Sequence, residues 1–126
     1  MKALDNFSRA YLLAAFWTSD DEAPSGEYSE RGRFDILLPK LSPEALASIQ
    51  TDCAKFQGEN GAAWRILGMT DEQAGHDFWL TRNHHGSGFW DHSSDFNEAG
   101  LRALTDAAHK FGESDLYLGD DGLYYV

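Results

Sequence analysis

The sequence predicts an α+β fold: a small antiparallel sheet made of two hairpins, with about three helices packed on one face. Three observations predict it. Three stretches carry apolar residues at helical spacing, two of them behind a capping residue; two aromatic-rich stretches are broken by Gly-containing turns; and 126 residues suit one domain, residues 1–126. Apolar residues make up 42% of the chain, including 8 Phe, 5 Tyr and 4 Trp, which is enough for a packed core and too aromatic for disorder.

The first helix starts after Asp5, an N-cap residue, and runs through Phe7, Tyr11, Ala14 and Ala15 to about Trp17. Thr18 to Arg33 then gathers Ser, Asp, Glu, Pro and Gly around Tyr28 without an apolar period, and reads as a long, functional or mobile loop. Ser42-Pro43-Glu44 combines an N-cap, a proline at the first helical position and an acid in the first turn. Leu46, Ile49, Cys53 and Phe56 place one apolar stripe inward, and Gly58 is the expected stop. Cys53 on that stripe is expected to be a core thiol rather than a nucleophile.

From Ala74 to Asp91 the pattern reads as a β-hairpin, with His76–Arg82 and Gly88–His92 as strands around Asn83-His84-His85-Gly86-Ser87. The last helix runs from about Asn97 to Phe111, with Leu101, Leu104, Ala108 and Phe111 inward, and stops at Gly112. Asp120-Asp121-Gly122 then turns a second hairpin between Asp115–Gly119 and Leu123–Val126.

Composition excludes several function classes. With 21 acids against 10 bases the net charge is −11, so a phosphate backbone or an anionic lipid surface would repel the chain. A single cysteine rules out an internal disulfide framework and fits a reducing, cytoplasmic setting. The longest apolar stretch, Tyr11 to Trp17, is far too short to span a bilayer, and the N-terminus has no signal-peptide pattern. Phosphate-binding glycine loops and a nucleophile elbow are absent, and Asp120-Asp121-Gly122 lacks the remaining positions of a calcium loop.

The densest polar set is His76, Asp77, His84, His85, Asp91 and His92. On one strand His76 and His84 would lie too far apart to share an ion, whereas His76 and His92, with Asp77 or Asp91, could meet at the open end of the hairpin. A small metal-dependent or acid/base enzyme centred there is one alternative, although no known ligand spacing is present. No cofactor is implied, and Ser87, Ser93 and Ser94 are nearby hydroxyls without a triad pattern.

Charge placement says more. From Asp91 to Val126 eight acids face two bases, Arg102 and Lys110, so these 36 residues carry −6. If they share a flank, Asp95, Glu98, Asp106, Asp115, Asp120 and Asp121 would imitate a run of phosphates and recruit a basic partner. The plainer alternative is that the surplus keeps an accessory interaction protein soluble.

The run Ala74-Gly75-His76-Asp77-Phe78-Trp79-Leu80-Thr81-Arg82-Asn83-His84-His85-Gly86-Ser87-Gly88-Phe89-Trp90-Asp91 resembles a segment, roughly A-G-H-D-F-W-L-T-R-N-x-H-G-x-G-F-W-D, of small acidic proteins from bacteriophages, prophages and plasmids. Similarity continues into the acidic end, Phe111 to Gly122, and covers about the last 50 residues. The resemblance implies a mobile-element accessory protein, a class rich in inhibitors of host defence, with no catalytic residues carried over. The resulting expectation is a non-enzymatic protein that binds and inhibits a basic, nucleic-acid-binding host defence protein, as an anti-CRISPR or anti-restriction factor would.

Overall fold

The computed structural model describes residues 4–18, 35, 37–85, 88–92 and 96–126. The long acidic segment expected between Thr18 and Arg33 therefore lies, beyond Thr18, outside the described residues, as do Gly86, Ser87, Ser93, Ser94 and Asp95. Four longer helices, α1 (Asn6–Thr18), α2 (Pro43–Leu67), α3 (Asp71–Arg82) and α4 (Glu98–His109), precede two short antiparallel strands, β1 (Tyr117–Leu118) and β2 (Tyr124–Tyr125). Single 3-10 turns occupy Leu38–Lys40 and Phe89–His92. The α+β expectation is thus corrected: the described molecule is mostly helical, and its sheet is one two-stranded hairpin.

Helix α1 starts where Asp5 accepts the Ser8 amide at 2.8 Å. Phe7, Tyr11, Leu12, Ala15 and Phe16 are all buried, so α1 is wrapped on nearly every side. It packs most extensively along α3, and Gly75 makes that approach possible. A Cβ at position 75 would sit 2.1 Å from the Phe7 carbonyl oxygen.

Helix α2 begins as its cap predicts, with Ser42 Oγ accepting the Ala45 amide at 3.0 Å and Pro43 in the first turn. It does not stop at Gly58. The buried stripe Ile49, Cys53 and Phe56 continues to Trp64, and that burial outweighs the roughly 1 kcal/mol that an internal glycine costs. Termination comes at Gly68, which is left-handed at φ 90°, with the Met69 amide donating back to the Trp64 carbonyl.

The central correction concerns His76–Arg82, expected as a strand and found inside α3. Eight of its twelve residues are buried, including the unbroken run Asp77 to Arg82. From Asp77 to Arg82 every side of the helix is buried and no polar face is left, so the 3.6-residue period that identifies a helix vanishes there, and an aromatic-rich run reads as extended. One local signal did survive in the sequence. Thr70-Asp71-Glu72-Gln73 has the spacing of a capping box, and Thr70 Oγ1 accepts the Gln73 amide at 3.1 Å. The expected partner strand is instead the 3-10 turn at Phe89–His92, anchored by the Phe89 amide donating to Thr81 Oγ1 at 3.0 Å.

Helix α4 forms as expected behind Asn97, whose Oδ1 accepts the Gly100 amide at 3.1 Å. The second hairpin also forms, with Tyr117 opposite Tyr125 and Leu118 opposite Tyr124. The helices do not lie on one face of a sheet; they surround a shared aromatic core. Phe56 and Phe78 stack at 4.1 Å, Phe7 stacks on Trp64 at 5.2 Å, and Phe111 meets Phe78 edge-on at 5.1 Å. Among the described residues no helix is long and apolar enough to cross a membrane.

Candidate functional site

Of the six carboxylates expected to bind a partner, Asp95 lies outside the described residues; Glu98, Asp106, Asp115, Asp120 and Asp121 are all exposed. They are not equivalent. On α4 the outward positions Glu98, Arg102, Asp106 and Lys110 recur every four residues, so acid and base alternate along one stripe. Glu98 is 3.6 Å from Arg102, which neutralises it locally. Helix α4 therefore offers a mixed, near-neutral face and not a row of phosphate surrogates.

The uncompensated charge lies beyond α4. From Phe111 to Val126 there are four acids, Glu113, Asp115, Asp120 and Asp121, and no Lys, Arg or His. All four are exposed. Glu113 approaches the His84 ring at 3.9 Å. Between the two acidic pairs, Tyr117 (54% exposed) and Leu118 (37%) present apolar surface to solvent.

The hairpin holds these groups through its loop. The register leaves Asp120, Asp121 and Gly122 as a three-residue loop, closed by the Gly119 amide to the Leu123 carbonyl at 2.7 Å and the Gly122 amide to the Gly119 carbonyl at 3.1 Å. Gly122 takes φ 83°, the left-handed setting such loops require. Asp121 has a structural duty too. It accepts the Tyr125 hydroxyl and the Leu123 amide, which together hold its carboxyl below the usual range, and donation to Asp121 pushes Tyr125 up to about 12. Asp115 and Asp120 are left as the more available anions of the hairpin.

The histidine–aspartate set is partly assembled, by a route other than the expected hairpin. Asp77 on α3 is fully buried, and the 3-10 turn brings His92 to it, with Nε2 2.8 Å from Oδ2. That contact suits an ion pair but lacks the direction of a hydrogen bond, so Oδ2 has no aligned donor. Oδ1 accepts Gln73 Nε2 at 2.9 Å, with His76 Nδ1 farther away at 3.4 Å. Gln73, one turn before Asp77 on α3, is the member that sequence reading missed; the i, i+4 spacing of the two was the available signal. Asp91 is exposed, His84 stacks on His109 at 4.7 Å, and neither joins the cluster.

Each imidazole approaches a different oxygen of Asp77, and among the described residues no three His, Cys, Asp or Glu side chains converge as ligands for one ion. His76 also lines an open groove of about 380 Å³ between α1 and α3, with Leu13, Trp17 and Glu72 among its walls. Cys53 is buried, and desolvation pushes its thiol up to about 12, in keeping with the core role expected of it.

Much of the segment behind the sequence resemblance works inside the fold. Gly75 admits α1, Phe78 fills the core, Trp79 donates to Thr18 at 2.8 Å, and Thr81 receives the returning chain. Arg82 reaches the Phe111 and Gly112 carbonyls at the end of α4 and the Asp52 carboxylate at 2.9 Å. Trp90, by contrast, is 52% exposed. Comparison with protein families, curated proteins and solved structures finds no match to this chain.

Proposed function

We infer that the protein is a non-enzymatic binding protein whose acidic C-terminal segment captures a basic protein or nucleoprotein in the cytoplasm. In the setting its central segment resembles, that target is a nucleic-acid-binding defence protein of the host, which capture would inhibit. One observation carries the reading: four exposed carboxylates and no cation between Phe111 and Val126, set around exposed Tyr117 and Leu118. Charge steers the encounter, and the apolar ring and side chain supply surface that can be desolvated on contact. The neutral stripe on α4 narrows the binding face to this segment.

An enzyme built on His76 and His92 is less well supported. Asp77 Oδ1 accepts from Gln73 on its own helix and Oδ2 lies 2.8 Å from His92 Nε2, contacts that fasten the 3-10 turn to α3 and, among the described residues, bring no third ligand or nucleophile to the pair.

The test is an affinity pull-down from the native host at low and high salt, with the wild type beside a variant carrying Glu113→Gln, Asp115→Asn and Asp120→Asn. A basic nucleic-acid-binding protein retained at low salt, released by high salt and displaced by added DNA supports the reading. Equal retention by the triple variant overturns it.

A further inference from the structure

We propose that β1 is an acceptor edge, on which an extended Lys- or Arg-bearing segment of the partner adds as a third strand. This rests on the acidic-capture reading and states how the partner is held. The hairpin has one covered side and one open side. Tyr124 of β2 bridges Leu41 in parallel, and its carbonyl accepts the Ser42 amide at 2.9 Å, so β2 is the inner strand.

Hydrogen-bonding direction alternates along an antiparallel strand. The Gly119 amide donates to Leu123 across the hairpin, so Tyr117, two residues earlier, also faces β2, and Leu118 and Leu116 turn their amides and carbonyls the other way. The outward orientation of Tyr124, opposite Leu118, toward Ser42 shows the same alternation on the inner strand. Among the described residues no strand pairs with β1 on its outer side.

An open edge recruits a strand when side chains beside it fit the incomer. Here the flanking residues are Asp115 on one end and Asp120 on the other, both exposed and without a neighbouring base in the segment. Tyr117 stacks on Tyr125 at 6.0 Å, giving an aromatic platform for the aliphatic stem and charge of a Lys or Arg. The occupant that matches backbone, charge and platform together is a basic β-forming segment. A folded acidic or neutral surface matches none of the three.

The probe is an eight-residue peptide of alternating Lys and Val, compared with hexalysine and with the same Lys–Val peptide N-methylated at every backbone amide, using amide-resolved NMR of the full chain at low salt. Expected are shifts centred on the Leu116 and Leu118 amides, slowed exchange at both, and at least about tenfold weaker binding of the N-methylated peptide. Leu118→Pro removes the outward donor at a position the hairpin ladder does not use, and should weaken the Lys–Val peptide similarly while the Tyr124 amide signal persists. If hexalysine binds but N-methylation and Leu118→Pro change nothing, strand addition falls and charge capture stands. If neither basic peptide binds, both readings fall.

Discussion

Asp71 shows how a single side chain couples the fold to pH. Its carboxylate accepts the buried Trp64 indole at 2.9 Å and Arg65 Nε at 3.2 Å, and these bonds, the indole first, hold it below the usual carboxylate range. A depressed folded-state value means the stabilisation is present above about pH 4, where an unfolded Asp is ionised, and is lost as pH falls through the lower folded value. Asp71→Asn should therefore be less stable than wild type at pH 7, with the gap closing as pH falls below the ordinary Asp range; denaturant titrations at several pH values read it directly. Cys53 makes a simpler statement. Buried and held protonated, it should stay inert to a thiol reagent in the native protein and react once denaturant opens the core, so rapid native labelling would contradict the assigned packing. Neither partner of Asp71 was visible in the sequence, because Trp64 and Asp71 are joined by the turn after Gly68 and not by helix spacing.

Between elements, the decisive contacts are made by residues whose type says little on its own. Gly75 lets α1 and α3 touch backbone to side, and Gly75→Ala forces 2.1 Å of separation to open to ordinary contact distance. A cost of about 2–4 kcal/mol is expected, measured as a drop in unfolding free energy without loss of helix signal at low temperature. Arg82 ties α3 to the end of α4 and to Asp52 on α2, and its guanidinium sits against the Phe78 and Phe111 rings at 5.4 and 5.7 Å. Arg82→Met keeps the stem but abandons two carbonyls and a partly exposed carboxylate, an expected loss of about 2–4 kcal/mol. If that variant is as stable as wild type, the Arg82 network holds nothing together. The starts of α1, α2 and α4 and the terminal turn were legible, whereas the end of α2 and both ends of α3 were not. Asp5, Ser42-Pro43, Asn97 and the Asp121-Gly122 turn each act where local chemistry placed them.

Across the whole molecule, the −11 charge works in two opposed directions. Mutual repulsion destabilises the compact state, so raising salt from about 10 to 200 mM should increase the melting temperature of the isolated protein. The same salt should weaken its hold on a basic partner. A melting temperature that falls with salt would mean that local pairs such as Glu98–Arg102 outweigh the surplus, and the acidic face would lose its standing as a source of attraction. Because exposed charges each contribute little, neutralising one of Glu113, Asp115 or Asp120 should change partner affinity by about fivefold or less, and the three together by much more.

The amino-acid sequence alone determined the cap positions, the terminal turn, the inward stripe of α2 as far as Phe56, and the excess of acid near the C-terminus. These are properties of neighbouring residues: a side chain satisfying an amide three positions away, a glycine tolerating a left-handed backbone, a count of charges. Tertiary structure decided that residues 71–82 are helical, that His92 meets Asp77, that α4 is neutral outside, and that β1 and not β2 is the open edge. Enclosure is the physical reason. The buried stretch Asp77–Arg82 carries no periodic trace of its surroundings, and which strand is covered depends on where Leu41 and Ser42 arrive from a distant part of the chain.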